Sequence, residues 1–252
     1  MSHVFEIAVI GGGSAGTMST LRAVLNNNET LFFKGNAKSQ KKSRAKWVRK
    51  VENIPGHFHF EKGIENPNEQ TLEWIKNSPL KHKLHLKDNS SVLKLEKENN
   101  IFKITTDTDE IFYASFVILC TGIMDIQPVI GGSIRPILPY ANRQMANYCL
   151  RCDGHHVIDK DVCVIGHDDS AAWVAIMLHE RYAPKSVSVI SHDQKLSLSL
   201  EVETLLKKYH IKKYESEIVE IMGHPKEFKM DGFKLLDDSF VASQICFISL
   251  GI

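Results

Sequence analysis

The apolar positions of the chain fall into short runs of β-branched and aromatic residues, separated by glycine turns and by stretches of helical spacing. Val4-Phe5-Glu6-Ile7-Ala8-Val9-Ile10 opens the pattern and reads as a strand. It ends in Gly11-Gly12-Gly13-Ser14-Ala15-Gly16, and helical spacing follows as far as Leu25. Asn26-Asn27-Asn28 stops that helix, and Thr30-Leu31-Phe32-Phe33 reads as a second strand. Residues 68–77 predict another helix, with Leu72, Trp74 and Ile75 as its apolar contacts. Val92-Leu93-Lys94-Leu95, Ile101-Phe102-Lys103-Ile104-Thr105 and Glu110-Ile111-Phe112-Tyr113 then alternate about two polar turns, which predicts a β-meander. The meander leads into Phe116-Val117-Ile118-Leu119-Cys120, which reads as a buried strand ending at Thr121-Gly122.

Gly131-Gly132 and the prolines at 128, 136 and 139 mark a linker. The strand–helix–strand pattern then repeats, with strand Val162 to Ile165, helix Ala171 to Arg181 and strand Ser186 to Ile190. A helix from Leu198 to Tyr209 follows, then short strands to Phe247-Ile248-Ser249-Leu250-Gly251. The pattern predicts an α/β protein of two Rossmann-like dinucleotide-binding units, 1–124 and 125–252, each with a β-meander or β-rich insertion. The two halves read as distant copies of one architecture.

At 252 residues the chain can bury one large core or two ordinary ones. Its 43% hydrophobic and 24% charged residues are ordinary for a soluble globular protein. A net charge of +1 gives no general attraction to nucleic acid or to an anionic membrane. No apolar run approaches a membrane span. The N-terminus enters a strand without a charged segment and apolar core before it, so no signal peptide is expected. Five cysteines in a chain of this length are not a disulfide framework. Cys120, Cys163 and Cys246 lie in apolar runs and read as inert core residues, which favours a reducing cytoplasm. Lys38 to Lys50 holds seven basic and no acidic residues. Such a run reads as a solvated loop or helix face, and more weakly as an anion- or nucleic-acid-binding surface.

The first glycine turn sits between a strand and a helix, the context a dinucleotide fingerprint requires. Gly11 makes the tight turn, Gly13 lets backbone approach a pyrophosphate, and Gly16 lets helix and strand pack closely. Ser14 and Ala15 open the helix, whose first N–H groups face the phosphates. A glycine-rich turn without a ligand is the plainer alternative.

Most of the candidate chemistry lies in Tyr148-Cys149-Leu150-Arg151-Cys152-Asp153-Gly154. Two cysteines at this spacing can close a short disulfide with little backbone change. One thiol of such a pair commonly has a lowered pKa, so a thiolate is available near neutral pH. Asp153 can shuttle the proton that dithiol exchange loses and regains. The competing reading is half of a zinc site completed by His155 and His156, a cramped set of four ligands in eight residues.

Five motifs stand in one order: the first glycine turn, Val51-Glu52-Asn53-Ile54-Pro55-Gly56, Cys120-Thr121-Gly122, the Cys-x-x-Cys-Asp-Gly run, and a second turn at Gly166. In this the chain resembles the low-molecular-weight thioredoxin reductases and their flavoprotein relatives, from about Ile7 to its end. The segment Thr121 to Pro128 is more similar to the thioredoxin-reductase-like oxidoreductases of that group. The resemblance implies FAD on the first unit, held by Gly11, Gly13, Ser14, Ala15 and Gly16. Thr121 and Gly122 would pass beside the dinucleotide and Asn53 would lie near the flavin ring. It implies NAD(P) on the second unit, at Gly166 and Ser170. Cys152 would face the flavin, Cys149 would attack the disulfide of a small protein such as thioredoxin, and Asp153 would be the acid–base. A homodimer is compatible with it.

The chain departs from that family in both halves. The second turn, Gly166-His167-Asp168-Asp169-Ser170-Ala171-Ala172, has Asp168 where relatives have glycine. Trp173 stands where they commonly carry a Glu, and Ser191-His192-Asp193 where they carry arginines for the 2′-phosphate of NADPH. These changes point against ordinary NADPH use, and Asp193 suits a ribose hydroxyl instead. Lys42-Ser43-Arg44-Ala45 occupies the place of a family Gly-Gly-Gln-Leu near the flavin. A return segment that completes the FAD domain in relatives has no counterpart before Ile252, so weak flavin binding is expected. Two functions follow: a flavin-dependent disulfide oxidoreductase with an unusual electron donor, or a non-catalytic nucleotide-binding or redox-sensing protein.

Overall fold

In the computed structural model, which describes residues 3–252, the chain divides into two compact units, one ending at Met124 and one beginning at Asp125. Each carries a parallel strand–helix–strand core, the Rossmann-type arrangement. Among the described residues no helix is long and apolar enough to cross a membrane.

In the first unit, β1 (Val4–Ile10) lies at the centre of the sheet and α1 (Ser14–Leu25) returns the chain to β2 (Thr30–Gly35). The two strands pair in parallel, from Ile7 opposite Thr30 to Ile10 opposite Phe33. A one-turn helix α2 (Ala37–Gln40) is capped by Asn36, whose side chain accepts from the Ser39 N–H at 2.8 Å. A second crossover helix, α3 (Glu65–Asn77), leads to β3 (Leu84–Asp88), parallel to β2. Strands β4 (Val92–Glu98), β5 (Ile101–Thr106) and β6 (Ile111–Leu119) form the meander, and β6 also pairs with β1 in parallel. The six strands run in the order β3-β2-β1-β6-β5-β4.

The two-residue period of β2 explains how this sheet is covered. Phe32 packs with Val24, Leu72 and Ile75 of the helices, while Phe33 packs with Ile104 and Ala114 on the other side. Both phenylalanines are almost fully buried, which stabilises by roughly 2–3 kcal/mol each.

The observed elements correct several expectations in this unit. β3 is an additional strand, with Leu84 and Leu86 packed against the helical cluster. Residues 111–113 and 116–119 belong to the single strand β6. That strand is not buried at its end, since Phe116 is 68% and Leu119 63% exposed. Trp74 is exposed too, leaving Leu72 and Ile75 as the buried contacts of α3.

Gly16 anchors α1 against the sheet. A methyl group there would lie 1.7 Å from the Gly11 carbonyl oxygen and 3.4 Å from the Cys120 Cβ. Backbone is what it would strike, so relief requires moving the helix. Gly16→Ala is expected to destabilise the first unit by more than about 2 kcal/mol, read as a lowered thermal midpoint.

The second unit begins with chain that read as a linker but is packed. Ile130, Ile137 and Tyr140 are buried, and the Ile126 N–H donates to the Gly251 carbonyl at 3.0 Å. Short elements α4 (Leu138–Ala141), β7 (Ala146–Asn147) and α5 (Leu150–Asp153) follow. Then β8 (Asp161–Ile165), α6 (Asp169–Tyr182) and β9 (Ser186–Ile190) repeat the first unit's plan. The chain continues through α7 (Leu200–Lys208) and β10 (Lys212–Tyr214). An antiparallel three-stranded sheet of β11 (Ile218–His224), β12 (Lys229–Leu235) and β13 (Phe240–Ala242) precedes β14 (Ile245–Ile248). The main sheet is wholly parallel, in the order β10-β9-β8-β14-β7. Its central strands β8 and β14 are buried on both faces, which is why they read as apolar runs.

Cys163 and Cys246 face each other across β8 and β14 with no exposure. Burial pushes both thiols well above their ordinary range, as expected of inert core residues. Cys120 differs: it is only half-buried and borders an open cleft.

Candidate functional site

The first glycine turn shapes a cleft of about 730 Å³ in the first unit. Gly11 has a φ of +121°, and a methyl there would lie 2.1 Å from the Cys120 carbonyl oxygen, so the turn requires glycine. Gly13 is the N-cap of α1, in an extended conformation, and provides no side-chain cap. A methyl at Gly13 would meet nothing nearer than the Ala45 Cβ at 3.9 Å. The backbone at the head of α1 therefore faces open space, as close approach of a phosphate requires.

Gly11, Gly13, Ser14, Ala15, Thr121 and Gly122 all line this cleft, whereas Gly16 is spent on packing. Asn53 does not line it and is exposed. Its segment, residues 51–60, contributes nothing to the cleft wall, so the Val-Glu-Asn-x-Pro-Gly motif does not place a polar group at this site. The basic run does contribute, which its charge alone did not indicate. Arg44 and Lys46 lie in a 3₁₀ turn on the cleft wall, where the Arg44 N–H donates to the Ile123 carbonyl at 3.3 Å. Glu65 lines the same wall. Burial alone would raise its pKa, but hydrogen bonds and charge from Lys46 and Lys62 outweigh that, and the carboxyl sits below its ordinary range. Lys34, the penultimate residue of β2, also enters the cleft and escaped the sequence reading.

Cys149 and Cys152 belong to the second unit and are joined as a disulfide, with their Cα atoms 5.2 Å apart. Cys149 is the N-cap of α5, and its carbonyl accepts from the N–H groups of Cys152 at 3.1 Å and Asp153 at 3.0 Å. One tight turn thus holds both sulfurs and the adjoining carboxylate. It precedes β8 in sequence, separated from it by the 3₁₀ turn Gly154–Val157.

The second turn is filled by the chain itself. Gly166 permits close packing, since a methyl there would lie 2.4 Å from the Ser249 carbonyl oxygen. Asp168 is the N-cap of α6, and its carboxylate accepts from the Ala171 N–H at 3.1 Å. Ser170 lies exposed in the first turn of that helix. The neighbouring segment crosses the turn, with the Ser197 N–H donating to the His167 carbonyl at 2.9 Å and the Ser199 N–H to the Asp169 carboxylate at 2.8 Å. His192 is fixed as well: its Nδ1 accepts from the Ile218 N–H at 2.9 Å, so its Nε2 carries the proton donated to the Val129 carbonyl at 2.8 Å.

A family model described as pyridine nucleotide-disulphide oxidoreductase matches residues 27–232. The chain is 26% identical over 214 residues to the thioredoxin reductase of Treponema pallidum, covering 84% of this chain and 64% of that one. It is 28% identical over 180 residues to the thioredoxin reductase of Helicobacter pylori, covering 69% of this chain and 52% of that one. The chain therefore spans about half to two-thirds of the length of these curated relatives. In fold it is similar to the crystal structure of thioredoxin reductase from Streptococcus pyogenes, with a TM-score of 0.78 at 22% identity, over 100% of this chain and 78% of that one.

Proposed function

Because the chain belongs to the pyridine nucleotide-disulphide oxidoreductase family, we propose that it is a thiol–disulfide oxidoreductase of thioredoxin-reductase type, working through Cys149 and Cys152 with FAD as cofactor. The observation that carries this reading is the Cys149–Cys152 disulfide on a single turn with Asp153 beside it. The cleft of the first unit fits the pyrophosphate of an adenine dinucleotide, since Gly13 leaves the head of α1 open. Gly11, Ser14, Ala15, Thr121 and Gly122 would line the bound dinucleotide. When bound and reduced by an electron donor, FAD would supply the two electrons that reduce the Cys149–Cys152 disulfide.

The protein's own chemistry is dithiol exchange. The Cys149 thiolate attacks one sulfur of the partner's disulfide, forming a mixed disulfide and releasing a partner thiolate. The Cys152 thiolate then attacks the Cys149 sulfur, which restores the internal disulfide and releases the second partner thiolate. The partner's disulfide is reduced and the Cys149–Cys152 dithiol oxidised, two electrons each. Asp153 accepts the proton that a cysteine thiol loses and delivers it to a departing thiolate. A small disulfide protein such as thioredoxin is the expected partner.

Asp168 caps the helix end that would hold the pyrophosphate of NADPH, which argues against NADPH bound at the second unit as the electron donor. This favours another donor, and it also supports the second reading, a redox-sensing protein whose dithiol does not turn over. A flavin spectrum after reconstitution decides between them. Bleaching of bound flavin by a low-potential donor, with loss of the internal disulfide, supports the oxidoreductase. Flavin that bleaches while the disulfide stays intact sinks it.

Gly13→Val tests the cleft. Valine at this extended N-cap strikes no neighbouring backbone but projects into the pyrophosphate's place. Flavin binding is expected to fall by at least about a hundredfold in equilibrium dialysis, with the thermal midpoint lowered by only the few degrees that valine costs at a helix N-cap. Unchanged affinity would remove the cleft as the flavin site.

A further inference from the structure

Met145, Lys160 and Gln244 directly precede the parallel strands β7, β8 and β14, and all three line one cavity of about 310 Å³ within the second unit. The cavity therefore opens at the amino ends of these strands. The Cys149–Cys152 turn and the turn at Gly166 follow the carboxyl ends of β7 and β8, the edge at which α/β sheets hold dinucleotides. The cavity belongs to neither turn.

Its lining carries charge of one sign. Arg143, Lys160 and Lys229 contribute cations, and among the described residues no Asp or Glu lines it. Lys229 is already paired with Asp231 at 3.2 Å. Arg143 and Lys160 are half-buried, and among the described residues neither pairs with a carboxylate; the Arg143 guanidinium donates to the Pro139 carbonyl at 3.3 Å. A concave site lined by cations without carboxylates attracts an anion.

The remaining walls suit a ligand with a planar, partly polar body. Met230 and Ile245 are buried and give one apolar side. The Gln244 side-chain oxygen accepts from the Asp161 N–H at 3.2 Å, which orients the amide and leaves its N–H₂ to donate. Phe228 lines the cavity with a ring that is 72% exposed, its centroid 5.8 Å from the Arg143 Cζ. It holds a φ of +56°, where a bulky residue is uncommon and glycine is the usual choice, so the ring stands there against local preference.

We propose that this cavity binds a nucleoside monophosphate. Arg143 and Lys160 hold the phosphate, the base stacks on Phe228, and the Gln244 amide donates to the base or ribose. The volume is under half that of the first unit's cleft, so it holds one nucleotide rather than two. The site depends neither on the dithiol chemistry nor on the dinucleotide reading of the first unit.

Titration calorimetry of the full chain with AMP tests it, with inorganic phosphate and adenosine as controls. The unsubstituted protein is compared with Gly13→Val, which blocks the first unit's cleft, and Gly13→Val then carries each further change. AMP is expected to bind one site in Gly13→Val, about tenfold or more tighter than either control. Adding Arg143→Gln or Lys160→Ala should weaken AMP at least about tenfold. Adding Phe228→Gly, which suits the left-handed backbone and so should leave the fold in place, should weaken AMP about tenfold and spare inorganic phosphate. AMP affinity unchanged by Lys160→Ala or by Phe228→Gly overturns the proposal. Adenosine or inorganic phosphate binding as tightly as AMP overturns it, as does AMP binding that Gly13→Val abolishes, which would place the nucleotide in the first unit. Absence of AMP binding to either protein overturns it as well.

Discussion

Cys149→Ser is expected to reduce exchange with a protein disulfide to the uncatalysed background while leaving the fold in place. The turn does not depend on the sulfur bridge, because the Cys149 carbonyl accepts from the N–H groups of both Cys152 and Asp153. A bridge closing so short a loop contributes about 2 kcal/mol by the chain-entropy estimate. A fall of a few degrees in thermal midpoint should therefore accompany loss of the whole activity. Cys152→Ser should behave differently. Its Cys149 thiolate can still attack, but nothing resolves the product, so the partner should accumulate as a mixed disulfide that mass spectrometry detects on Cys149. Asp153→Asn should slow exchange about a hundredfold without preventing disulfide formation, as expected for loss of a proton acceptor. Full exchange activity in Cys149→Ser, or a partner trapped on no cysteine in Cys152→Ser, would remove the dithiol from the proposed chemistry.

The features legible in the sequence are those that local chemistry over-determines. β1, the glycine turn and α1 could be read because a β-branched run, a glycine at a φ of +121° and an asparagine stop all specify one geometry. The same holds for β8 and α6. β3 escaped because its side chains are only half-buried and its five residues carry two leucines among polar ones. β6 read as two segments, although Ala114 between them is fully buried in a cluster with Phe33 and Ile104. The prolines and glycines of residues 128–139 suggested a linker, yet Ile130 and Ile137 anchor that stretch in the core.

At the site, composition failed where tertiary placement decides. The seven basic residues of 38–50 read as solvated, and two of them line the cleft. Asn53 was placed by a family motif, and the chain here holds it out in solvent. Lys34 was missed although its position was readable: it follows the last aromatic residues of β2, where a ribose-binding group is due.

In the Gly13→Val protein, whose first cleft is blocked, NADPH and NADH should show no binding by calorimetry, and Asp168→Gly added to it should create a weak site. The reason lies in what occupies the head of α6. Asp168 already satisfies the Ala171 N–H, and its charge offsets the positive end of the helix dipole that would attract a pyrophosphate. A phosphate held about 4 Å from that carboxylate would be opposed by roughly 1–4 kcal/mol, a ten- to thousandfold loss of affinity. Replacing an aspartate cap by glycine lowers helix stability by only a few tenths of a kcal/mol, so the variant should fold. Recovery should remain incomplete. The segment carrying Ser197 and Ser199 still crosses the turn, and Ser191, His192 and Asp193 offer no arginine to a 2′-phosphate. Asp193 has its own N–H bonded to the Glu215 carbonyl and sits at a φ of +62°, which fixes its backbone rather than leaving it to adapt to a ribose. Micromolar NADPH binding in Gly13→Val with Asp168 intact would show that the turn opens on binding. Tight NADH binding alone would show that Asp193 reaches a ribose hydroxyl despite that constraint.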